Sequence, residues 1–280
     1  KNSNKKIKTF SVGFEDQKFN ELNYVATACE SFNTEPYSEI LTCNIKELLP
    51  KIAKHYGEPF ADHTAVPTFM ISKYAKNHVS VVLNGDGGDE LLGGYQKYQM
   101  NNFQIKINNM FSGLISSKKV IKSKYFLEKS NNFFHKIGKR LMYNWISPES
   151  RSLPINNQYW NLNERDQLLK NYSNYKVVDK WIQDMFNSAY VKANTSIDRM
   201  LAFDNSTYLK GCLLPKTDIA SMHVGLELRS PLLDHKVIEF CASLPVSKKI
   251  YNNQGKYLLK KILSKDFDSK FIHRPKMGFG

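Results

Sequence analysis

The sequence predicts an α/β fold with a parallel sheet, followed by a mainly helical C-terminal part. Over the first hundred residues, short apolar runs alternate with segments of helical spacing, which is the pattern of βαβ units. After about residue 100 the alternation stops, and no further strand is expected. We therefore divide the chain into an α/β part at residues 1–100 and a mainly helical part at residues 101–280.

The elements of the α/β part follow from apolar spacing and from the residues that end each segment. Gly57 ends the second predicted helix, and Pro67 suits the first turn of the third. The last strand is a run of aliphatic residues, which predicts burial on both faces. Strands are predicted at residues 7–14, 36–41 and 79–83, and helices at residues 21–31, 45–56 and 67–77.

The helical part is less regular along its length. Residues 147–162 contain two prolines and show little periodicity, which predicts a long loop. Residues 180–209 have helical spacing and predict a helical region. The core residues predicted for this region are Trp181, Met185, Ala189, Met200, Leu201 and Phe203.

Length and composition are those of a soluble globular protein. The 280 residues are 41% hydrophobic and 24% charged. No apolar run approaches the roughly 18 residues that span a bilayer, and the first residues, KNSNKKIK, lack the apolar stretch of a signal peptide. Four widely spaced cysteines form no CxxC pair, which argues against a zinc site or a disulfide framework. Together these features predict a cytoplasmic protein with no membrane partner.

The net charge of +14 is concentrated in one stretch. Residues 104–140 carry eight lysines and one arginine against a single acid, Glu128. Such a stretch is typical either of a polyanion-binding surface or of a solvated lysine-rich face. We favour the solvated face, because no nucleic-acid-binding signature accompanies the charge, and nucleic acid is not the expected partner.

A glycine-rich acidic turn follows the third predicted strand. Residues 84–90, NGDGGDE, contain three glycines and three carboxylates. Glycine allows a ligand to approach the backbone closely, and crowded carboxylates need a cation or another partner. The turn is therefore either a metal-assisted phosphate site or a strand-to-helix turn whose acids cap the next helix.

Two later segments also carry charged residues in a notable pattern. Lys256 follows a glycine at the start of a predicted helix, where it is either a phosphate-binding cation or one of several solvent lysines. The segment at residues 213–245 interleaves charges with apolar residues, which predicts a buried ion-pair lattice in preference to direct chemistry. Its charged residues are Lys216, Asp218, Glu227, Arg229, Asp234 and His235.

Four segments together resemble the synthetase domain of the glutamine-dependent asparagine synthetase family. They are SVGF at 11–14, NGDGGDELLGGY at 84–95, KTDIASM…LELRSPLLDH at 216–235 and GKYLLKKIL…RPKMGFG at 255–280. Their order and spacing match over nearly the whole chain. The resemblance implies an adenine-nucleotide α-hydrolase-like core of the ATP-pyrophosphatase type, with residues 1–100 as the nucleotide-binding part. It also favours the phosphate-site interpretation of the turn.

The resemblance implies an ATP- and Mg²⁺-dependent ligase of asparagine biosynthesis. In this family the side-chain carboxylate of aspartate becomes an acyl-adenylate with release of pyrophosphate. Ammonia, delivered from glutamine by a glutaminase domain of the same parent chain, then displaces AMP. The implied partners are therefore aspartate or a related carboxylate and that glutaminase domain, and a homodimer is compatible with the family.

The family motif also assigns roles to individual residues. Asp89 matches the magnesium ligand, and Lys256 matches the lysine that stabilises the transition state and the leaving pyrophosphate. Asp86 matches an acidic position near the reacting groups, and Glu90 is expected close to the amino-acid substrate. The nucleotide-contacting positions are Val12, through its backbone, together with Asn84, where many relatives carry serine, and Gly85. Arg274 and Lys276 are expected to add positive charge.

Several departures from the family pattern modify these expectations. The SGGxDS pyrophosphate loop, the strand that carries it and the glutaminase domain are not found in these 280 residues, which begin with lysine. Ile219 stands where relatives often have a basic residue. We therefore expect the chain to be a piece of a longer protein and to be inactive, or nearly so, by itself.

Three alternatives to asparagine synthesis stay open. A relative could amidate another carboxylate, such as a sugar acid, and the residues EPFADHTAVPT at 58–68 are expected to decide this. A calcium-binding module would use the acidic turn, but its spacing does not fit the EF-hand pattern. A nucleic-acid-binding module would use the basic stretch at residues 104–140.

Overall fold

A computed structural model of the chain describes residues 5–16, 20–42, 44–58, 60, 62–98, 181, 184, 185, 188 and 195–274. The chain forms two compact units that alternate along the sequence. The first unit comprises residues 1–87, 209–240 and 258–280, and the second comprises residues 88–208 and 241–257. The division at residue 100 stays a prediction. The basic stretch at 104–140, the loop predicted at 147–162 and Lys276 lie outside the described residues.

The strands of the described residues all belong to the first unit and pair in parallel. Strand β1 (Lys8–Gly13) pairs with β2 (Glu35–Ile40), and β3 (Val81–Leu83) pairs with β4 (Glu227–Arg229). The parallel pairing of the α/β prediction is confirmed, as two two-stranded sheets.

The helices follow in chain order. They are α1 (Leu22–Phe32), α2 (Ile45–Tyr56), α3 (Ala65–Lys76), α4 (Gly88–Leu92), α5 (Ser196–Asp204), α6 (Leu214–Met222), α7 (His235–Ser243), α8 (Val246–Lys249), α9 (Tyr257–Leu263) and α10 (Ser269–Ile272). A π-helical segment, Asn205–Leu213, joins α5 to α6, and short 3₁₀ turns lie at Gln96–Tyr98 and Pro231–Leu233. No helix among the described residues is both long and apolar enough to cross a membrane.

Two expectations about the strands were wrong. β4 lies after residue 100, where no strand was predicted, because its three residues include two charges and show no apolar period. β3 is not covered on both faces, since Val81 is 40% and Leu83 is 71% exposed. Val81 and Leu83 stand two residues apart and therefore point to the same face of the strand, and it is this face that is open to solvent.

The core of the first unit lies among α2, α3 and α6. Its buried members are Ile52 and Tyr56 of α2, Ala65 and Phe69 of α3, and Ala220 of α6. The predicted helix at 45–56 is confirmed, and Gly57 ends it in a left-handed conformation with φ of 74°. Helix α3 begins two residues before the predicted start at Pro67, which lies at its third position.

The core of the second unit is built around Tyr98, Met200 and Leu201, which are all buried. Helix α5 begins after Thr195, whose side chain accepts a hydrogen bond from the Asp198 amide at 3.1 Å. Core positions were predicted correctly for Met200, Leu201 and Phe203. The prediction was wrong for Trp181, which is 56% exposed.

Gly255 of the second unit allows two backbone segments to approach each other. A Cβ atom there would overlap the carbonyl oxygen of Gly93 and would lie 2.8 Å from its carbonyl carbon and 3.0 Å from Gly94 Cα. Because these atoms are backbone, Gly255→Ala is expected to lower the free energy of unfolding by about 3 kcal/mol. Urea denaturation measures the change.

Gly211 provides the matched control for this prediction. It lies in the π-helical segment, and a Cβ atom there would meet nothing within 4 Å. Gly211→Ala is expected to be neutral or to stabilise the protein by up to about 1 kcal/mol. Equal effects of the two substitutions would contradict the close approach at Gly255.

Candidate functional site

The glycine-rich turn after β3 places its first polar residues in the first unit. The backbone amide of Asn84 donates to the Arg229 carbonyl at 2.9 Å, which extends the pairing of β3 with β4 by one residue. The Asn84 side chain donates to Asp86 Oδ2 at 2.8 Å and accepts from the Ser230 hydroxyl at 2.6 Å. Both strand ends therefore hold Asn84 in place.

Asp86 receives a second donor from helix α6. The Thr217 hydroxyl lies 3.1 Å from Asp86 Oδ2 and 2.8 Å from the Leu213 carbonyl oxygen. Thr217 is buried, whereas Asp86 is partly exposed. The structure thus brings Asn84, Asp86, Thr217 and Ser230 together in one hydrogen-bonded cluster, which we call the turn cluster. Thr217 and Ser230 were not among the predicted site residues.

The other two predicted nucleotide contacts also belong to the first unit. Gly85 is exposed, and a Cβ atom built on it would meet nothing within 4 Å. Its backbone is therefore open to a ligand. Val12 lies in β1 opposite Glu39 of β2 and is partly buried.

In the second unit, Asp89 and Lys256 form an ion pair. Asp89 Oδ2 lies 2.9 Å from Lys256 Nζ, and the two side chains are 20% and 33% exposed. Asp89 lies in the first turn of α4, and Lys256 immediately precedes α9. Lys256 is therefore not a solvent lysine, because its ammonium pairs with the carboxylate of Asp89, the acid predicted to bind metal.

Backbone geometry keeps this ion pair in position. Lys256 has φ of 56°, in the left-handed region that non-glycine residues rarely adopt, and its amide donates to the Leu92 carbonyl at 2.9 Å. Gly94 lies against the pair, since a Cβ atom there would overlap Asp89 Oδ1 and Lys256 Cε. A strained backbone conformation of this kind persists only where surrounding contacts hold it in place, and such conformations are common at functional sites.

Glu90 points into the second unit. It is 1% exposed, and its carboxylate accepts a hydrogen bond from the Tyr95 hydroxyl. Burial and the neighbouring Glu90 carboxylate raise the pKa of Tyr95 far above its usual value. The expected closeness of Glu90 to a substrate stays a prediction.

A second buried tyrosine–carboxylate pair lies beside it. The Tyr98 hydroxyl donates to Asp204, which also pairs with Lys97 at 2.7 Å. The Lys97 ammonium lies between 5.4 and 5.9 Å from the ring centres of Tyr95, Tyr98 and Tyr208. Burial raises the pKa of Asp204, although the charge of Lys97 acts in the opposite direction. Sequence analysis missed this network, because Tyr98 and Asp204 are 106 residues apart.

The buried ion-pair lattice predicted for residues 213–245 was wrong for most of its members. Arg229 and Glu227 do pair at 2.6 Å, but their side chains are 64% and 52% exposed. They stand two apart on a short strand and therefore share its open face. Asp234 and His235 are also exposed.

Lys216 is the exception, since it is mostly buried and lies 3.7 Å from Asp62. Its ammonium also donates to Thr64 at 2.9 Å. Burial would raise the pKa of Asp62, but hydrogen bonds from Thr64 and the charge of Lys216 outweigh it and lower that pKa.

His223 is expected to make the stability of the first unit depend on pH. Its ring lies 4.1 Å from that of His55 and 4.9 Å from that of Phe69. The His223 side chain is exposed, and the partial desolvation from its ring contacts, followed by the charge of His55, lowers its pKa. The unfolded chain therefore binds more protons below about pH 7, and the free energy of unfolding is expected to fall as the pH drops through about 6.5.

Chemical denaturation at a series of pH values measures this dependence. His223→Gln is expected to flatten the decline below about pH 6.5, whereas His235→Gln controls for the loss of one exposed histidine. An unchanged pH dependence in His223→Gln would contradict the role of the pair.

The described residues contain no group of three or more His, Cys, Asp or Glu side chains that could hold a metal ion. A protein site for Mg²⁺ nevertheless needs only one or two carboxylates when substrate phosphates supply the other oxygens. Asp89, with one oxygen turned to a cationic partner, fits such a site and does not by itself make a complete one.

Comparison with known proteins places this geometry in context. The sequence matches the asparagine synthase family along residues 1–280. It is 31% identical over 277 residues to asparagine synthetase [glutamine-hydrolyzing] 1 of Bacillus subtilis, covering 98% of this chain and 42% of that protein. It is 30% identical over 284 residues to a putative asparagine synthetase [glutamine-hydrolyzing] of Mycobacterium tuberculosis, covering 99% of this chain and 41% of that protein. The chain thus spans about two fifths of the length of these relatives.

A shorter match covers one third of the chain. Over these 94 residues the chain is 39% identical to a putative asparagine synthetase [glutamine-hydrolyzing] 2 of Methanocaldococcus jannaschii, and the match covers 18% of that protein.

Proposed function

Because the chain belongs to the asparagine synthase family, we propose that it is part of a ligase that forms an amide at the expense of ATP. The proposed reaction activates the side-chain carboxylate of aspartate as an acyl-adenylate, and ammonia derived from glutamine then displaces AMP. The observation that carries the proposal is the Asp89–Lys256 ion pair. It joins the acidic turn to the segment around residue 255, and these two segments were singled out separately in the sequence.

The physical task of such a ligase is to bring an anionic nucleotide to an anionic carboxylate. Lys256 would place a positive charge at the phosphates and stabilise the pyrophosphate as it leaves. Asp89 would hold Mg²⁺, which when bound neutralises phosphate charge and orients the oxygens. The left-handed backbone of Lys256 and the close packing at Gly94 support these roles, since the first fixes the main chain that carries the lysine and the second positions the Asp89 carboxylate.

The turn cluster belongs to the first unit. Asp86 is held by Asn84 and Thr217, so its carboxylate has a defined direction before any substrate binds. This preorganisation supports the proposed role of Asp86 near the reacting groups. Gly85 and Asn84 would line the nucleotide at the carboxyl end of β3, and Val12 would contribute its backbone.

The burial of Glu90 bears on its proposed role near the amino-acid substrate. Its carboxylate already accepts a hydrogen bond from Tyr95, and Asn205 donates to its backbone carbonyl at 3.3 Å. We infer that Glu90 acts mainly through the placement of α4, and hence of its neighbour Asp89.

The partners of the reaction are proposals as well. The relatives' names describe glutamine-hydrolysing synthetases, so we propose that a glutaminase domain of the same parent chain supplies the ammonia. A homodimer stays a prediction. The proposed cytoplasmic location is supported by Cys29, Cys212 and Cys241, which are free thiols.

The test is a product assay on the full-length protein with ATP, Mg²⁺, aspartate and either glutamine or ammonia. Asparagine, AMP and pyrophosphate are expected in equal amounts, as measured by chromatography and mass spectrometry. A parallel reaction with a sugar acid in place of aspartate tests the other acceptor class. Pyrophosphate release that requires the sugar acid and ignores aspartate would overturn the assignment of the acceptor.

A further inference from the structure

The ion pair between Asp89 and Lys256 joins two groups whose proposed roles exclude each other. Asp89 Oδ2 lies 2.9 Å from the Lys256 ammonium, so this carboxylate oxygen is already paired with a cation. We propose that the two residues form an exchange pair. Lys256 holds the Asp89 carboxylate while no divalent cation is bound, and leaves it when one binds. The inference rests on the proposed function of Asp89 as a metal ligand.

The two carboxylate oxygens of Asp89 are not equivalent. Oδ1 is buried and lies against Gly94, where even a Cβ atom would overlap it. Oδ2 faces the Lys256 ammonium. A cation that reaches Asp89 must therefore use Oδ2, at about 2.1 Å for Mg²⁺, next to an ammonium nitrogen at 2.9 Å from the same atom. The Mg²⁺ ion and the ammonium nitrogen would then lie within about 5 Å of each other. Like charges that close repel strongly in a partly buried site, so only one of the two cations remains.

The backbone around Lys256 restricts the exchange to its side chain. The residue is held in the left-handed region at φ of 56°, its amide donates to Leu92, and Gly255 before it packs on Gly93. The Cα atom of Lys256 is thus fixed, whereas its four methylene groups rotate freely once the ammonium leaves. The released charge stays within one side-chain length of the bound cation, where the nucleotide phosphates would lie.

Two other lysines of the second unit show what distinguishes this pair. Lys97 is paired with Asp204 at 2.7 Å and Lys249 with Asp198 at 3.0 Å. Asp204 is buried, so a cation would have to enter the core to replace Lys97. Asp198 is 23% exposed, but Lys249 is itself buried and would have to leave the core to make room for a cation. The Asp89–Lys256 pair is more exposed than either, with both of its side chains at 20% or above.

Calorimetric titration of the full chain with Mg²⁺, without nucleotide, tests the exchange, because water then supplies the oxygens that phosphates would provide. Removal of the competing ammonium in Lys256→Met is expected to tighten Mg²⁺ binding by about tenfold, because Mg²⁺ then no longer has to displace the lysine from Asp89 Oδ2. Lys256→Gly is expected to have the same effect and accommodates the left-handed backbone, so it answers the question if the methionine variant fails to fold. Lys261→Met removes one positive charge from the exposed side of α9 and is the matched control, with affinity unchanged.

A chemical readout reports on the lysine itself. Acylation of Lys256 by an N-hydroxysuccinimide ester, measured by peptide mass spectrometry relative to Lys261, is expected to increase when Mg²⁺ is added. Equal Mg²⁺ affinity in wild type and Lys256→Met, labelling that ignores Mg²⁺, or no binding in any variant would each overturn the exchange. Binding that survives Asp89→Asn would also overturn it. If the exchange is observed and no amide is formed, the proposed function fails and the exchange pair stands.

Discussion

Replacement of Lys256 by alanine in the full-length protein is expected to lower the rate of aspartate-dependent pyrophosphate release at least ~10²-fold, the usual cost of losing one electrostatic contact in the transition state. The charge is lost at the point where pyrophosphate leaves. Because the same substitution removes the ammonium that competes with Mg²⁺ for Asp89 Oδ2, the Mg²⁺ concentration for half-maximal rate is expected to fall or stay the same. Initial rates at a series of Mg²⁺ concentrations measure both effects.

Lys261→Ala is the control for this prediction. It removes an exposed lysine from α9, the helix that Lys256 immediately precedes, and should leave the rate unchanged. A rate in Lys256→Ala close to that of wild type would contradict the role of the lysine. A loss of rate that saturating Mg²⁺ restores would instead point to a defect in metal binding.

Asp89→Asn is expected to reduce the rate by a similar factor, at least ~10²-fold, for a different physical reason. The amide keeps the shape of the side chain but loses the negative charge that would hold Mg²⁺, and it leaves the Lys256 ammonium without its anionic partner. The Mg²⁺ concentration for half-maximal rate is expected to rise, in contrast to Lys256→Ala. Initial rates at a series of Mg²⁺ concentrations measure this opposite shift.

Asp234→Asn provides the comparison for the loss of one carboxylate, since Asp234 is exposed in the first unit. Its rate and its Mg²⁺ dependence should match those of wild type. Near-normal turnover of Asp89→Asn at low Mg²⁺ would exclude Asp89 as the metal ligand.

The sequence predicted local structure well where several turns of a helix or several residues of a strand share one period. Helix α2 begins and ends where its apolar spacing and Gly57 place it. β1 lies within the predicted residues 7–14. β4 was missed because a strand of three residues, two of them charged, has no period to detect. The burial predicted for β3 was wrong because the burial of a strand face depends on what packs against it, which an apolar run does not reveal.

The candidate site shows the same distinction between local and long-range information. The glycine-rich acidic turn and Lys256 could be singled out from residue types alone, each with two open interpretations. Residue types do not reveal the partner of each side chain, and Asp89 pairs with a lysine far along the chain. Likewise, Glu90 reads as an acid in a polar turn, yet it lies almost completely buried beside Tyr95.

By itself, the sequence determined the parallel α/β pattern, the positions of most helices in the α/β part and the family to which the chain belongs. Those properties depend on periodicity and on motifs that are contiguous in the chain. Only the tertiary structure decided that Lys256 is held by Asp89, that Asp86 is fixed by Thr217 and that Asp204 is neutralised by Lys97. Such pairs form when segments that are distant in the sequence pack together, and residue spacing does not show which distant side chains will be in contact.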